Sequence, residues 1–347
     1  MKTLLRTLLS RRMKLYNRFH NNDGFTLIEL LVALILAVLI ISPLLGFMVN
    51  ILDTDRKEQA KATSEQEVQT ALDFIARDLQ QAVYIYGVDG ITNDNNLDLK
   101  KSGIKNQIPP GSGNLGGCSI SSSATCQPIL VFWKRELVKN VFEFSANPDK
   151  DDSFVYSLVA YYIVKDSEAK WSNGGKAARI TRFKIMDGIQ DPGGQTCTGY
   201  PTDEKYVRRK SDNKILCPES GFQRFDLAQT IGTLQEKMNS WTKLPGVNYA
   251  NNAYVLIDFV DQTVMPSEVA KKPNCSFGQL SSGNYMGFYA CLDSSDPTKP
   301  VAEVFLRANA LARIDTDTSR INYNEAQKSY FPSASIRVEG RGYLYTN

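Results

Sequence analysis

The sequence predicts an α+β fold: one long N-terminal helix, half transmembrane and half amphipathic, packed on an antiparallel β-sheet domain. Three observations predict it. Residues 30–52 contain no charged side chain. Apolar residues then recur at helical spacing as far as Tyr86. Beyond residue 127, β-branched and aromatic runs alternate with turns rich in Gly, Asn and Asp.

The apolar run comes first. From Leu30 to Leu52 there are 23 uncharged residues, and about 20 suffice to cross a bilayer as a helix. Ahead of it, residues 1–24 carry Lys2, Arg6, Arg11, Arg12, Lys14 and Arg18 against a single acid, Asp23. Cationic flanks stay on the cytoplasmic side, so the C-terminal domain is expected on the outer side of the membrane. A cleaved secretory signal has a shorter core that ends in small residues. No Ala-x-Ala pattern closes this run, so it reads as a retained anchor over residues 25–52. Pro43 interrupts the run and removes one backbone donor.

Charge and cysteine content narrow the classes. Subtracting the leader's +5 from the formal +3 leaves −2 for the rest of the chain. A nucleic-acid binder shows a basic balance on its folded domain, so no nucleic-acid partner is expected. Six cysteines (Cys118, Cys126, Cys197, Cys217, Cys275 and Cys291) all follow the anchor. None forms a CxxC, and the single histidine, His20, precedes the anchor. Zinc is therefore disfavoured. An even cysteine count on one side of a membrane argues for an oxidising compartment. Of the fifteen possible pairings, the local set Cys118–Cys126, Cys197–Cys217 and Cys275–Cys291 joins sequence neighbours around Gly-, Pro- and Ser-rich loops. Free buried thiols are the alternative.

Glu29 sits inside the first turn of the apolar helix, where a carboxylate is costly unless it reaches the interface or finds a partner. A basic leader, Gly24, then Phe25-Thr-Leu-Ile-Glu29 and an apolar run resembles the class III signal of type IV pilins and pseudopilins. The resemblance implies that a prepilin peptidase cuts after Gly24 and methylates the new amine of Phe25. It also implies that Glu29, fifth in the mature chain, pairs with the amine of a neighbouring subunit. The expected partners are other pilins or pseudopilins through this helix, the peptidase, an inner-membrane assembly platform and the lipid bilayer. The 24-residue leader is long for the family, and a start at Met13 would leave 12 residues.

The amphipathic half follows over residues 53–86. Val68, Leu72, Ile75, Leu79, Ala82 and Tyr86 are spaced by four, three, four, three and four, one apolar face of a helix. The segment ALDFIARDLQQA is similar to the matching helix of J-type minor pseudopilins. Residues 87–347 form the extracytoplasmic domain. Within it, residues 87–128 read as a long loop closed by Cys118 and Cys126. The strand candidates are PILVFWKRELV, SFVYSLVAYYIVKD, AARITRFKIMDG, AYVLIDFV and SIRVEGRGYLY. Residues 191–250 offer one short helix, in FDLAQTIGTLQEKMNSW. VFLRANALARI (304–314) resembles a segment of pseudopilins tied to hormogonium polysaccharide secretion and gliding in filamentous cyanobacteria.

Candidate chemistries are sparse. With no histidine after residue 20, Ser-His and Cys-His catalysis are excluded from the exported domain. Ser167-x-x-Lys170 and Ser211-Asp212-Asn213 match two motifs of penicillin-binding enzymes, but the third, Lys-Thr-Gly, is missing. No enzyme activity and no cofactor are expected. Asn147–Asp152 and Asp89–Asp98 are acidic turns that calcium could use; Asp152 stands where a calcium loop needs glycine. Phe132-Trp133-Lys134-Arg135 mixes aromatic and basic residues as single-strand binders do, yet in a strand these alternate between faces.

The expected function is that of a minor pseudopilin serving polysaccharide secretion and motility. Alternatives are a minor pilin that primes a true type IV pilus, a J-type component of type II secretion, and a membrane-anchored module that binds a surface ligand.

Overall fold

The computed structural model describes residues 25–121, 124–143, 150–168, 170–228, 232–268, 272–281, 283–293, 296 and 299–341. The leader, with Gly24 and His20, lies outside the described residues. Two compact units are present, Met1–Arg56 and Lys57–Asn347.

Helix α1 runs from Leu27 to Gln80 and continues through Pro43. In the first unit every described side chain, from Phe25 to Arg56, is exposed. Its length and composition suit a membrane span.

In the second unit the same helix buries a stripe that includes Ala60, Ser64, Val68, Leu72, Ile75 and Leu79. It ends at Gln80, six residues short of the Tyr86 that the periodicity reaches. Ala82–Ile85 is instead strand β1. The reason is geometric: a spacing of four is one helical turn and also two strand repeats, so Ala82 and Tyr86 satisfy both patterns.

Strands β2 (Thr125–Glu143), β3 (Lys150–Lys165), β4 (Ala178–Met186), β5 (Gln190–Gln195) and β6 (Tyr254–Val260) follow. The main sheet has the antiparallel order β1-β2-β3-β4-β6. In β2, Phe132 and Lys134 face helix α1, and Trp133 faces the other way. The second face is covered too. Trp133 lies 5.8, 5.0 and 5.5 Å from Phe222, Phe225 and Trp241, and Phe183 lies 5.0 Å from Tyr249. The Trp133 Nε1–H donates to the Tyr86 hydroxyl at 3.0 Å, which donates to the Met238 carbonyl at 3.1 Å.

Residues 87–121 are therefore part of this cover rather than a free loop. Ile91, Ile104 and Ile108 are buried, and the Tyr249 hydroxyl donates to the Gln107 carbonyl at 2.6 Å. In the neighbouring stretch 191–250 a short helix forms at Leu234–Asn239, with Thr233 and Glu236 as a reciprocal capping box.

A second antiparallel sheet has the order β10-β9-β8-β7, from Gln279–Leu280 (β7), Phe288–Asp293 (β8), Val301–Arg307 (β9) and Ser333–Glu339 (β10). The segment 304–314 is thus the end of β9 followed by a 3-10 turn at Leu311–Arg313. Of SIRVEGRGYLY, residues 342–345 lie outside the described set.

Candidate functional site

The first candidate is the start of helix α1. Leu27 is the first helical residue, so Thr26 is the N-cap and Glu29 the third position of the helix. The Glu29 N–H donates to Thr26 Oγ1 at 3.3 Å and to the Thr26 carbonyl at 3.1 Å. Thr-Leu-Ile-Glu is the capping-box pattern, a signal that reading Glu29 only as a buried charge passes over. A carboxylate in the first turn also meets the positive end of the helix dipole. Phe25 and Leu27 are 79% and 86% exposed. An apolar surface extending over residues 27–52 requires a bilayer or other helices to cover it. Gly24 lies outside the described residues, so the geometry begins at Phe25.

The second candidate joins the amphipathic half of the helix to the sheet. Asp78 lies on the buried stripe, three residues after Ile75. Its Oδ1 accepts from Lys134 Nζ at 3.0 Å. Its Oδ2 accepts from the Tyr161 hydroxyl and from Arg182 Nε, each at 2.7 Å. One helical carboxylate therefore ties to β2, β3 and β4 at once. Lys134 Nζ also lies 3.4 Å from Glu136. Glu136 in turn accepts from Ser157 Oγ at 2.5 Å and from Lys184 Nζ at 3.0 Å.

Three cations thus face two carboxylates. Burial pushes the Asp78 carboxyl upward, but Arg182, Lys134 and the Tyr161 hydroxyl together outweigh it and hold it below the usual range. Glu136 is also raised by burial and brought below its usual value by Ser157, Lys184 and Lys134. The cluster's hydroxyls and both lysine ammoniums are spent on the two carboxylates. Its chemistry is that of a register lock between helix and sheet.

Sequence reasoning missed this junction. The signal was available: an acid on an apolar stripe, a lysine at the centre of PILVFWKRELV, and basic residues at alternate positions of ARITRFKIM. Lys134 is accordingly committed to the helix. Arg135 lies on the opposite face with its guanidinium 3.9 Å from the Phe154 ring centre. Phe132 stacks on Tyr161. The aromatic–basic quartet is used for packing.

Three disulfides join Cys118 to Cys126, Cys197 to Cys217 and Cys275 to Cys291. Each is a pair of sequence neighbours, with Cα atoms 5.4–5.7 Å apart.

The remaining candidates do not assemble. Among the described residues no group of three or more His, Cys, Asp or Glu is arranged to hold a metal ion. In the 89–98 turn, Asp98 accepts from the Lys100 N–H and pairs with Lys101 at 3.1 Å. Residues 144–149 of the other turn lie outside the described set, and Asp152 accepts from the Asn140 N–H at 2.9 Å. Lys170 Nζ sits 5.2 Å from the Trp171 ring centre, and Asp212 pairs with Arg209. Among the described residues no hydrogen bond joins Ser167 or Lys170 to residues 211–213.

Comparison with known families matches residues 19–45 to the prokaryotic N-terminal methylation motif. No curated protein and no solved structure matches the chain.

Proposed function

We propose that this chain, which carries the class III prepilin signal of the type IV pilin and pseudopilin family, is a minor pseudopilin: a non-enzymatic subunit of a secretion assembly. The observation that carries the reading is Gly24-Phe25-Thr-Leu-Ile-Glu29 at the head of an exposed apolar helix. Cleavage after Gly24 creates an ammonium at Phe25, one residue before the cap. A helix N-terminus repels a cation, and the bilayer interface solvates it poorly. Glu29 of an adjoining subunit relieves both costs, so the pair forms only when subunits align. It acts as a register device rather than as a source of stability.

The basic leader stays in the cytoplasm and the disulfide-bearing domain lies in the periplasm. Three disulfides support that side, because they persist in oxidising compartments. Prepilin peptidase, an assembly platform and other pilin-like subunits are the partners. The exported material is polysaccharide, and the process accompanies gliding; VFLRANALARI (304–314) favours this over a J-type component of protein secretion or a pilus-priming subunit.

Deleting the gene while measuring released polysaccharide and counting surface pili in one culture tests the assignment. Loss of polysaccharide with pili retained is expected. Loss of pili as well would make the chain a priming minor pilin. Unchanged polysaccharide would remove it from that pathway.

A further inference from the structure

Among the described residues, no main-chain partner pairs the outer edge of the main sheet along residues 254–258. Strand β6 pairs with β4 on one side only. On the other side its next main-chain partner is Ala308, at the bridge from Val260. Exposed edges are normally protected by lysine, by proline or by a covering element. Residues 254–257 are Tyr-Val-Leu-Ile, with no charge and no proline, and Tyr254 is 73% exposed.

Beside this edge lies a cleft of about 710 Å³. Residues 255–259 all line it. Successive strand side chains point to opposite faces, so a cleft lined by five consecutive residues touches the strand's main chain as well as its side chains. The opposite wall is a stripe of helix α1: Thr63, Gln66, Glu67, Thr70, Phe74 and Arg77. The fourteen steps from Thr63 to Arg77 span ~21 Å at 1.5 Å each.

Two sets of contacts fix the direction. At one end Arg313 donates to Ser64 Oγ at 2.9 Å, pairs with Glu67 and lies 4.5 Å from the Phe259 ring centre. At the other, Arg182 lies 5.6 Å from the Phe74 ring centre and is in register with Tyr254. Phe259 itself has a φ of 55°, a left-handed conformation that a bulky residue holds only when its surroundings enforce it. There the pairing with β4 shifts register, and at Val260 the outer edge is taken up by Ala308, so the open edge stops.

We propose that this groove accepts an extended peptide strand of another subunit, added to β6 as a sixth strand beneath the flank of helix α1. The unpaired main chain selects a strand over a helix, because a helix has no interior main-chain groups to offer. A strand of about four to six residues fills the length, at ~3.4 Å each. The groove is lined by two acids, Glu67 and Asp258, and two cations, Arg77 and Arg313. Glu67 is paired with Arg313 and Asp258 accepts from Ser172, so the charges balance in sign and the occupant is uncharged over its centre. That the strand comes from a pilin-like neighbour rests on the pseudopilin reading; that the groove takes a strand does not.

Two measurements separate these. A fluorescein-labelled hexapeptide, Thr-Val-Thr-Val-Thr-Val, and its copy with alternate amides N-methylated are titrated against the detergent-solubilised full chain. The unmodified peptide saturates below about 1 mM, and N-methylation weakens it about tenfold or more, since two or three main-chain bonds are lost. Thr70→Trp, which fills the groove from the exposed helix surface, weakens it by a similar factor. Glu65→Trp, on the same helix outside the groove, leaves it unchanged. Equal binding of the two peptides, or no saturation, overturns the strand groove. Photo-crosslinking then starts from benzoylphenylalanine at position 70 of the full chain in its own membrane. An adduct whose second chain carries a prepilin signal is expected. An adduct only to chains without that signal, or none, overturns the assignment to a neighbouring subunit.

Discussion

In the structure Glu29 is the third residue of helix α1, its N–H bonded to the Thr26 cap. In the function proposed above it is also the counter-charge to a neighbour's ammonium, and one substitution separates the two. As third residue of a capping-box pattern it accepts replacement by glutamine, the other residue that the pattern admits there. As the counter-charge to a neighbour's ammonium it does not. Glu29→Gln is therefore expected to block assembly as fully as Glu29→Ala, read as filament material sheared from cells. Rescue by glutamine would reduce Glu29 to a cap.

Asp78 is the second decisive residue. Asp78→Ala leaves Arg182 half-buried without its carboxylate and Lys134 with Glu136 alone, and is expected to cost about 3 kcal/mol in denaturant unfolding. Because Asp78 and Glu136 are both held below their usual values, their contribution is fully present above the unfolded carboxyl pKa of about 4 and drains as pH falls through the folded values. Stability of the wild-type domain should thus drop below about pH 4. In Asp78→Asn that acid limb should be shallower; an unchanged limb would mean that other carboxylates set it.

At the scale of elements, the disulfides offer a direct check. Removing the 20-residue link with Cys197→Ser and Cys217→Ser should lower unfolding free energy by about 3 kcal/mol. A midpoint equal to wild type would show that the loop 197–217 stays ordered without it. The main strands were legible because SFVYSLVAYYIVKD and ARITRFKIM are β-branched, aromatic and bounded by turns. The helix was legible through residue 79 from its 3–4 spacing. Its end was not, because Ala82 and Tyr86 fit both periods. The cover over the Trp133 face was illegible for a different reason. Residues 87–121, 219–228 and 232–250 hold their places through single contacts, such as Tyr249 to Gln107 and Tyr86 to Met238, that leave no periodic trace. The Asp78 junction escaped because a lone acid on an apolar stripe resembles noise until Lys134 and Arg182 are seen beside it.

At the scale of the whole molecule, the two units answer to different solvents. Residues 25–56 expose their apolar surface and need a bilayer or companion helices. The unit from Lys57 onward has its own core, two sheets and three disulfides. A chain beginning at Lys57 is expected to be soluble when expressed in an oxidising compartment and to unfold cooperatively; persistent aggregation would show that the domain depends on its membrane half. In the function proposed above, assembly depends on a different event, the removal of the leader. The most direct test is the N-terminal peptide of the membrane-bound protein, read by mass spectrometry. A methylated Phe25 at the N-terminus is the predicted result, and a peptide still carrying Arg18 and His20 would contradict the account.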